Sequence, residues 1–283
     1  MAEKELQMSL LNRSLETLLG AVALVALAAG SASAVKPDET DPAKIMKAVD
    51  DRDTGDKQTS RMKMIITDKS GAKRERLVSS RSMKFKGGTK QLILFEGPAD
   101  IRNTGLLTVD YDAGAKVDDQ WLYMPKMRKM TRISSSKKSG SFMGSDLSFS
   151  DMTQQSIDQY EYKMLKQDAT VKGEAVWVIE ARPKTKKAKD ETGYIKSHMW
   201  VSKDKLMPLK AKHWVREGKK LKYMVFSNIK KIDGIWMAKK ISAMTKQSGE
   251  KLSQTVLLFA NISFNSTKVK GGDFTQARLE KGL

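Results

Sequence analysis

The stretch Gln120–Met152, QWLYMPKMRKMTRISSSKKSGSFMGSDLSFSDM, decides how this chain is read. Trp121-Leu122-Tyr123-Met124-Pro125 has the aromatic and branched content of a strand. The basic run Lys126, Arg128, Lys129 and Arg132 follows it, and then a polar loop from Ser134 to Gly140. The stretch ends in Phe142, Met143, Leu147, Phe149 and Met152, interleaved with Gly, Ser and Asp. An aromatic strand, a cationic hinge and a short amphipathic segment read together as a flap over an apolar surface. Ser145 or Asp146 is placed to cap a short helix over Ser145–Gln155, and Gly140 and Gly144 offer hinges.

Outward from that stretch the chain reads as strands. Met62, Met64 and Ile66 alternate with Arg61, Lys63 and Thr67 apart from an extra apolar Ile65, and Met83 and Phe85 alternate with Lys84 and Lys86. Gln91 to Phe95 is a continuous apolar run closed by Gly97-Pro98. Leu107, Val109 and Tyr111 share one face, and so do Trp121 and Tyr123. Further strands follow to Phe264, separated by turn signals such as Gly173, Pro208, Gly218, Asp233-Gly234 and Gly249. Helices are expected at three places only. One starts at Asp41-Pro42, one is the flap, and one runs from Phe274 to Lys281 and stops at Gly282. Lys184, Lys186, Lys187 and Lys189 beside Pro183 read as a hairpin loop. The expected fold is therefore mainly β, a curved antiparallel sheet of about a dozen strands. So large a sheet under so few helices leaves a cavity on its covered face.

Residues 1–34 read as a secretory signal peptide. Arg13 flanks the apolar core Leu18–Ala29, which is too short to span a bilayer, and Ala32-Ser33-Ala34 places cleavage after Ala34. Translation from Met8 instead of Met1 would remove the acidic Glu3 and Glu5 from that leader. Residues 35–283 are expected to be one exported domain. The chain has no cysteine, which excludes disulfides, thiol chemistry and a lipid-modified N-terminal cysteine.

The formal net charge of +19 speaks to partners more than to fold. In an exported protein it favours anionic membrane surfaces and envelope polymers over nucleic acid. Arg128, Lys129 and Arg132 are the candidates for meeting an anionic headgroup or an acidic partner, with Lys137 and Lys138 beside them. Nothing points to catalysis, a metal or a cofactor. His198 and His213 stand 15 residues apart without a ligand-spacing motif, and there is no Walker A, dinucleotide or nucleophile-elbow pattern.

The flap resembles the "WLYxP … F-x-GSDFSYEDL" pattern of a periplasmic branch of the outer-membrane lipoprotein-sorting proteins, a lipoprotein carrier-like family. Leu147 stands here where that pattern has an aromatic, and Ser150 where it often has Glu. Phe95-Glu96-Gly97-Pro98-Ala99-Asp100, Gly105-Leu106-Leu107 and the C-terminal run from Asp273-Phe274 resemble the same branch. The resemblance implies an unclosed half-barrel whose helices form a lid over an acyl-chain site. It also implies transfer of a lipid or lipoprotein toward an outer-membrane acceptor, in company with an inner-membrane exporter of the resistance–nodulation–division type.

On that reading Met62, Met64, Met83, Phe85, Leu107, Trp121 and Tyr123 are the leading cavity candidates, with Trp177, Trp200, Trp214 and Trp236 weaker ones. The 17 methionines suit variable acyl chains, because their side chains adapt to irregular apolar partners. Phe142, Met143, Leu147, Phe149 and Met152 are the lid candidates. The same residues also fit an ordinary filled core. The rival expectation is then a non-catalytic monomer that docks through its basic surface to an exporter or an anionic polymer and carries no lipid.

Overall fold

The computed structural model describes residues 35–112 and 118–281. The leader, its cleavage site and Gly282 lie outside the described residues.

The thirteen strands are β1 (Lys57–Thr67), β2 (Lys73–Phe85), β3 (Gly88–Gly97), β4 (Gly105–Tyr111), β5 (Asp119–Met124), β6 (Lys129–Arg132), β7 (Tyr160–Val171), β8 (Glu174–Pro183), β9 (Tyr194–Ser202), β10 (Pro208–Val215), β11 (Lys220–Ile232), β12 (Ile235–Gln247) and β13 (Glu250–Phe264). They form one antiparallel sheet in the order β6-β5-β4-β3-β2-β1-β13-β12-β11-β10-β9-β8-β7. β6 and β7 do not pair, so the sheet is an unclosed half-barrel, as the sequence led us to expect. Two consecutive meanders are joined by the pairing of β1 with β13. The hairpins turn where residue pairs accept left-handed backbone: Lys172-Gly173, Asp233-Gly234 and Ser248-Gly249 all have positive φ at both positions.

This topology fixes the course of the flap. β6 and β7 are the two outer edges of the sheet, yet they are consecutive in the chain. The connection between them, residues 133–159, has to cross from one edge to the other, and it does so over the face that becomes the inner one. A connection of this length is unusual inside a compact domain and is commonly functional.

Helix α1 (Pro42–Asp51) starts where expected. The Asp41 carboxylate accepts from the amides of Ala43 and Lys44, and Pro42 occupies the first turn. Its Ile45 and Met46 are buried against Trp177, Ile179 and Val201 on the inner face of β8 and β9. Helix α2 (Lys186–Thr192) corrects the expected hairpin loop. Thr185 caps it by accepting from the amide of Ala188, and Gly193 ends it in left-handed backbone. Lys186 and Asp190, one turn apart, form an ion pair that supports so short a helix. Helix α3 (Gln276–Lys281) buries Leu279.

The expected helix over Ser145–Gln155 does not form. Met143 and Gly144 both take positive φ and turn the chain back, Ser141 bridges Ser148, and a single 3₁₀ turn follows at Ser150–Met152. Serines and aspartates at alternate positions bond to nearby backbone more readily than they continue a helix. The Ser148 amide donates to Asp151, and the Asp151 amide donates to the Ser148 hydroxyl.

Both faces of the first meander are covered. On the inner face lie Met64, Ile66, Val78, Ile93, Phe95, Leu106 and Leu122, under Phe142 and Leu147 of the crossing segment. On the outer face Leu92, Leu94 and Leu107 pack beneath Val269, Phe274 and Leu279 of the C-terminal tail. β3 is consequently buried on both sides, which accounts for its continuous apolar run.

Candidate functional site: the inner face and its crossing segment

The cross-strand register assigns every candidate to a face. Arg81, Leu92, Leu107, Trp121 and Arg132 stand opposite one another across β2–β6, and so do Phe85, Gly88 and Tyr111. These are outer-face ladders. Ser82, Gln91, Thr108 and Gln120 make the neighbouring inner-face ladder.

Of the seven cavity candidates, Met62 and Met64 are on the inner face, and both line a cavity there. The other five are corrected. Leu107, Met83, Trp121 and Tyr123 pack against the outer-face cluster under the C-terminal tail. Phe85 meets Tyr111 edge-on at 6.2 Å on that same outer face. Among the weaker candidates, Trp177 is fully buried beneath α1, on the inner side. Trp200 and Trp214 are on the outer face, where Lys210 lies 4.6 Å from the Trp200 ring and Lys212 4.4 Å from the Trp214 ring. Trp236 is half-buried beside Lys205 and Lys231.

All five lid candidates belong to the crossing segment and pack onto the inner face. Phe142 and Leu147 are buried, and Met143, Phe149 and Met152 partly so. Phe142 sits between Phe95 at 5.9 Å and Phe149 at 5.6 Å, in the tilted and edge-on geometries that favour aromatic pairs.

Polar contacts surround this apolar centre, and reading the sequence missed most of them. The Asp146 carboxylate is buried and accepts from three hydroxyls, Thr245 at 2.6 Å, Ser253 at 2.5 Å and Thr255 at 2.8 Å, on β12 and β13. Arg76 of β2 donates to the Met143 carbonyl. Gln120, fully buried on β5, donates to the Phe149 carbonyl at 2.9 Å. Asp110 of β4 accepts from the Gln154 amide at 3.2 Å. Burial pushes the Asp110 carboxyl up to about 7 against that one amide, and Asp118 adds to the rise while Lys138 opposes it.

The last contact is ionic. Lys222 of β11 donates to Asp151 at 2.8 Å and to the Tyr194 hydroxyl at 2.7 Å, and that hydroxyl donates to the other Asp151 oxygen at 2.7 Å. Burial raises the Asp151 carboxyl, but Lys222, the Ser148 amide and Tyr194 outweigh it and hold the group below its usual range. Beside them the His213 ring stacks on Tyr194 at 4.4 Å, and its Nδ1 is 2.7 Å from the Ser197 hydroxyl. Burial takes His213 down to about 4, which Asp151 opposes and Lys222 reinforces, so the imidazole is neutral at ordinary pH.

Two mainly apolar cavities flank the crossing segment. The larger, about 720 Å³, lies between α1, residues 150–157 and strands β7–β13. Met46, Tyr160, Met199, Met224, Ile241 and Leu257 are among its lining residues. The smaller, about 380 Å³, lies over β1–β3 and is lined by Met62, Met64, Val78, Ile93 and Phe259. Leu147 and Met152 border both, so the segment partitions the inner face. Both volumes fall in the range of small-molecule sites, and apolar side chains dominate both linings.

The basic candidates divide. Arg128 and Lys129 are exposed at the tight turn between β5 and β6, where Arg128 takes left-handed backbone. Arg132 is exposed but paired with Asp119. Lys138 is buried, 3.6 Å from Asp118 and 4.0 Å from Glu191, and so is not a surface cation. Among the described residues no cluster of His, Asp and Glu could hold a metal ion. No helix among them is long and apolar enough to cross a membrane.

An open antiparallel half-barrel with a covered, cavity-bearing inner face is the lipoprotein-carrier class of fold. A domain from Vibrio parahaemolyticus described as an outer membrane lipoprotein-sorting protein is 31% identical over 84% of this chain and 98% of its own, with a TM-score of 0.76. A DUF1329 family protein from Desulfovibrio piger is likewise 31% identical, over 85% of this chain and all of its own, at the same TM-score of 0.76. A LolA superfamily protein from Nitrosomonas europaea shares the fold at 19% identity and a TM-score of 0.62, over 84% of this chain and 99% of its own. The model of a family described as "Uncharacterized protein" matches residues 87–281. No curated protein matches the chain. The chain belongs to the outer-membrane lipoprotein-sorting, LolA-like family.

Proposed function

We propose that this protein is a non-catalytic periplasmic carrier. It holds the acyl part of a lipid or lipoprotein on the inner face of the half-barrel and delivers it toward an outer-membrane acceptor, with an inner-membrane exporter as the loading partner. In this reading residues 1–34 direct export and are removed after Ala34, and residues 35–283 act as one monomeric domain. The observation that carries it is the pair of apolar cavities under a segment whose perimeter is fastened by polar contacts. Acyl burial contributes about 0.8 kcal/mol per methylene, on the order of 10 kcal/mol for one long chain before the opposing costs of binding. A cover that closes over such a chain keeps it from water, and fastenings made of hydrogen bonds can be exchanged for water when it opens. Arg128 and Lys129, free of the pairing that occupies Arg132, are the residues for an anionic headgroup or an acidic partner.

The test is native mass spectrometry of the protein isolated from the periplasm, followed by organic extraction. A lipid or acylated peptide bound at defined stoichiometry is the expected result. A bare mass, with no uptake of added phospholipid or lipopeptide, refutes the carrier reading. It would favour a docking module, for which the lysine and tryptophan rows on the outer face of β9 and β10 are the natural surface.

A further inference from the structure

The wall of the larger cavity carries a polar patch at His213, and its hydrogen-bond accounting does not close. Tyr194, Asp151 and Lys222 satisfy one another. His213 does not: its Nε2 is buried and has no partner among the described residues. Ser197 bonds to His213 Nδ1, and no other acceptor for its hydroxyl is found among the described residues. Two tautomers are possible, and counting decides between them. If Nδ1 carries the proton and donates to Ser197, both the serine O–H and the bare Nε2 go unpaired. If the serine donates to Nδ1, only Nε2–H goes unpaired. Each buried polar group without a partner is costly, so the second arrangement is preferred. At this patch, among the described residues, the wall then presents an unused N–H donor beside Tyr194, Ser197, Met199, Ala211 and Met224.

Charge narrows what that donor can take. The charges that act on the His213 ring are those of Lys222 and Asp151, which neutralise each other at 2.8 Å; Arg52 and Lys84 line the same cavity but are not among them. An anionic carboxylate or phosphate seated against His213 would therefore lack an unpaired counter-charge beside it, which burial makes costly. A neutral carbonyl would not.

We infer that His213 Nε2 is the anchor for the uncharged carbonyl of an acyl ester or amide, with the hydrocarbon chain running along the apolar lining and any charged headgroup held away from His213. This rests on the carrier reading and assigns it a ligand class: esterified or amidated acyl chains.

The experiment compares two probes on the exported protein, a pyrene-tagged fatty acid methyl ester and the alkylpyrene of the same chain length. The expected result is that His213→Phe, which keeps the stacking on Tyr194 and removes the donor, weakens ester binding by about fivefold to tenfold and leaves alkylpyrene binding within about twofold. His213→Gln, which restores an N–H at a similar reach, should recover the ester. Unchanged ester affinity in His213→Phe, or equal loss of both probes in a folded His213→Gln, overturns the anchor. If neither variant folds, the infrared ester carbonyl stretch of the probe bound to the wild-type protein decides. A shift to lower wavenumber than in hydrocarbon solvent supports the donor, and an unshifted band refutes it. A wild-type protein that binds neither probe instead refutes the carrier reading itself, and the anchor with it.

Discussion

Replacing Asp146 by alanine should loosen the crossing segment while the sheet stays intact. The carboxylate accepts from Thr245, Ser253 and Thr255 at 2.5–2.8 Å, and the Asp146 amide donates to Thr255 at 2.9 Å. Hydrogen bonds to a charged group contribute roughly 1.5–3 kcal/mol each, but three bonds to one carboxylate are not additive. The freed hydroxyls also recover part of the loss by bonding to water once the segment lifts. The net loss in closing free energy is therefore about 3–5 kcal/mol. At 1.4 kcal/mol per factor of ten, this is roughly two to four decades in the opening equilibrium. Asp146→Asn keeps the shape, and its oxygen can still accept from Thr245 and Ser253, but its NH₂ meets Thr255 and removes that acceptor. About half the effect is expected. The assay is native-state hydrogen exchange. The amides of Phe142, Phe149 and Ser150 report the segment, since they donate within it to Leu147, Gly140 and Lys138. The paired amides of β3 and β4 report the sheet. Protection of the segment should fall by about two to four decades in Asp146→Ala, with the sheet amides changed far less. A change under threefold would mean that Phe142 and Leu147 alone hold the segment down. A parallel loss in the sheet would mean that the segment does not open as a unit. Either result refutes the reasoning.

Asp110→Asn tests the raised carboxyl. With a folded value of about 7 against 3.8 unfolded, the protonated wild-type group contributes stability in full below about pH 4, and that contribution is lost as pH rises through about 7. The variant should therefore melt higher than the wild type at pH 8 and about the same at pH 4.5; equal melting temperatures across that range would show that Asp110 does not titrate so high. Lys222→Met should be worse than the double variant Lys222→Met/Asp151→Leu, because the single change leaves a buried carboxylate unpaired at a cost of about 3–5 kcal/mol; chemical denaturation of both measures the difference, and equal losses would show that the pair is not coupled. Gly105→Ala would bring a Cβ to 2.5 Å from both Leu279 and Leu94, so unfolding should become easier by about 1–3 kcal/mol; an unchanged denaturation midpoint would show that α3 yields freely. Trp121→Asp should lower stability without a selective loss of ester-probe affinity, whereas Met224→Trp should block probe uptake in a folded protein; the reverse pattern, read by probe fluorescence and melting, would place the binding face on the outside.

How far the sequence carried these conclusions depended on whether a periodicity had one cause. Turn residues and alternation marked the strands, and the Asp41-Pro42 signal marked α1, because each reports local backbone preference and little else. Face assignment failed where two covers compete. Met62 and Met64 alternate with polar residues and do point inward, but Trp121 and Tyr123 alternate with Gln120 and Leu122, and there the polar residue is the inward one. Gln120 is tolerated inside because Phe149 offers it a carbonyl, a partner 29 positions away that no local pattern announces. The aromatics are tolerated outside because the C-terminal tail returns to cover them, which alternation within β5 cannot reveal. The crossing segment was recognisable as a cover from its Phe, Met and Leu content, yet its Ser and Asp residues were read as helix caps. Their role follows from topology: a connection between opposite edges of one sheet must traverse the inner face, and there its polar side chains either find partners on the strands or remain unpaired and costly. Asp146 and Asp151 find hydroxyls and a lysine. His213 on the strand beneath keeps a donor without a partner among the described residues, and its place on the wall of the larger cavity is what carries the inference of a ligand there.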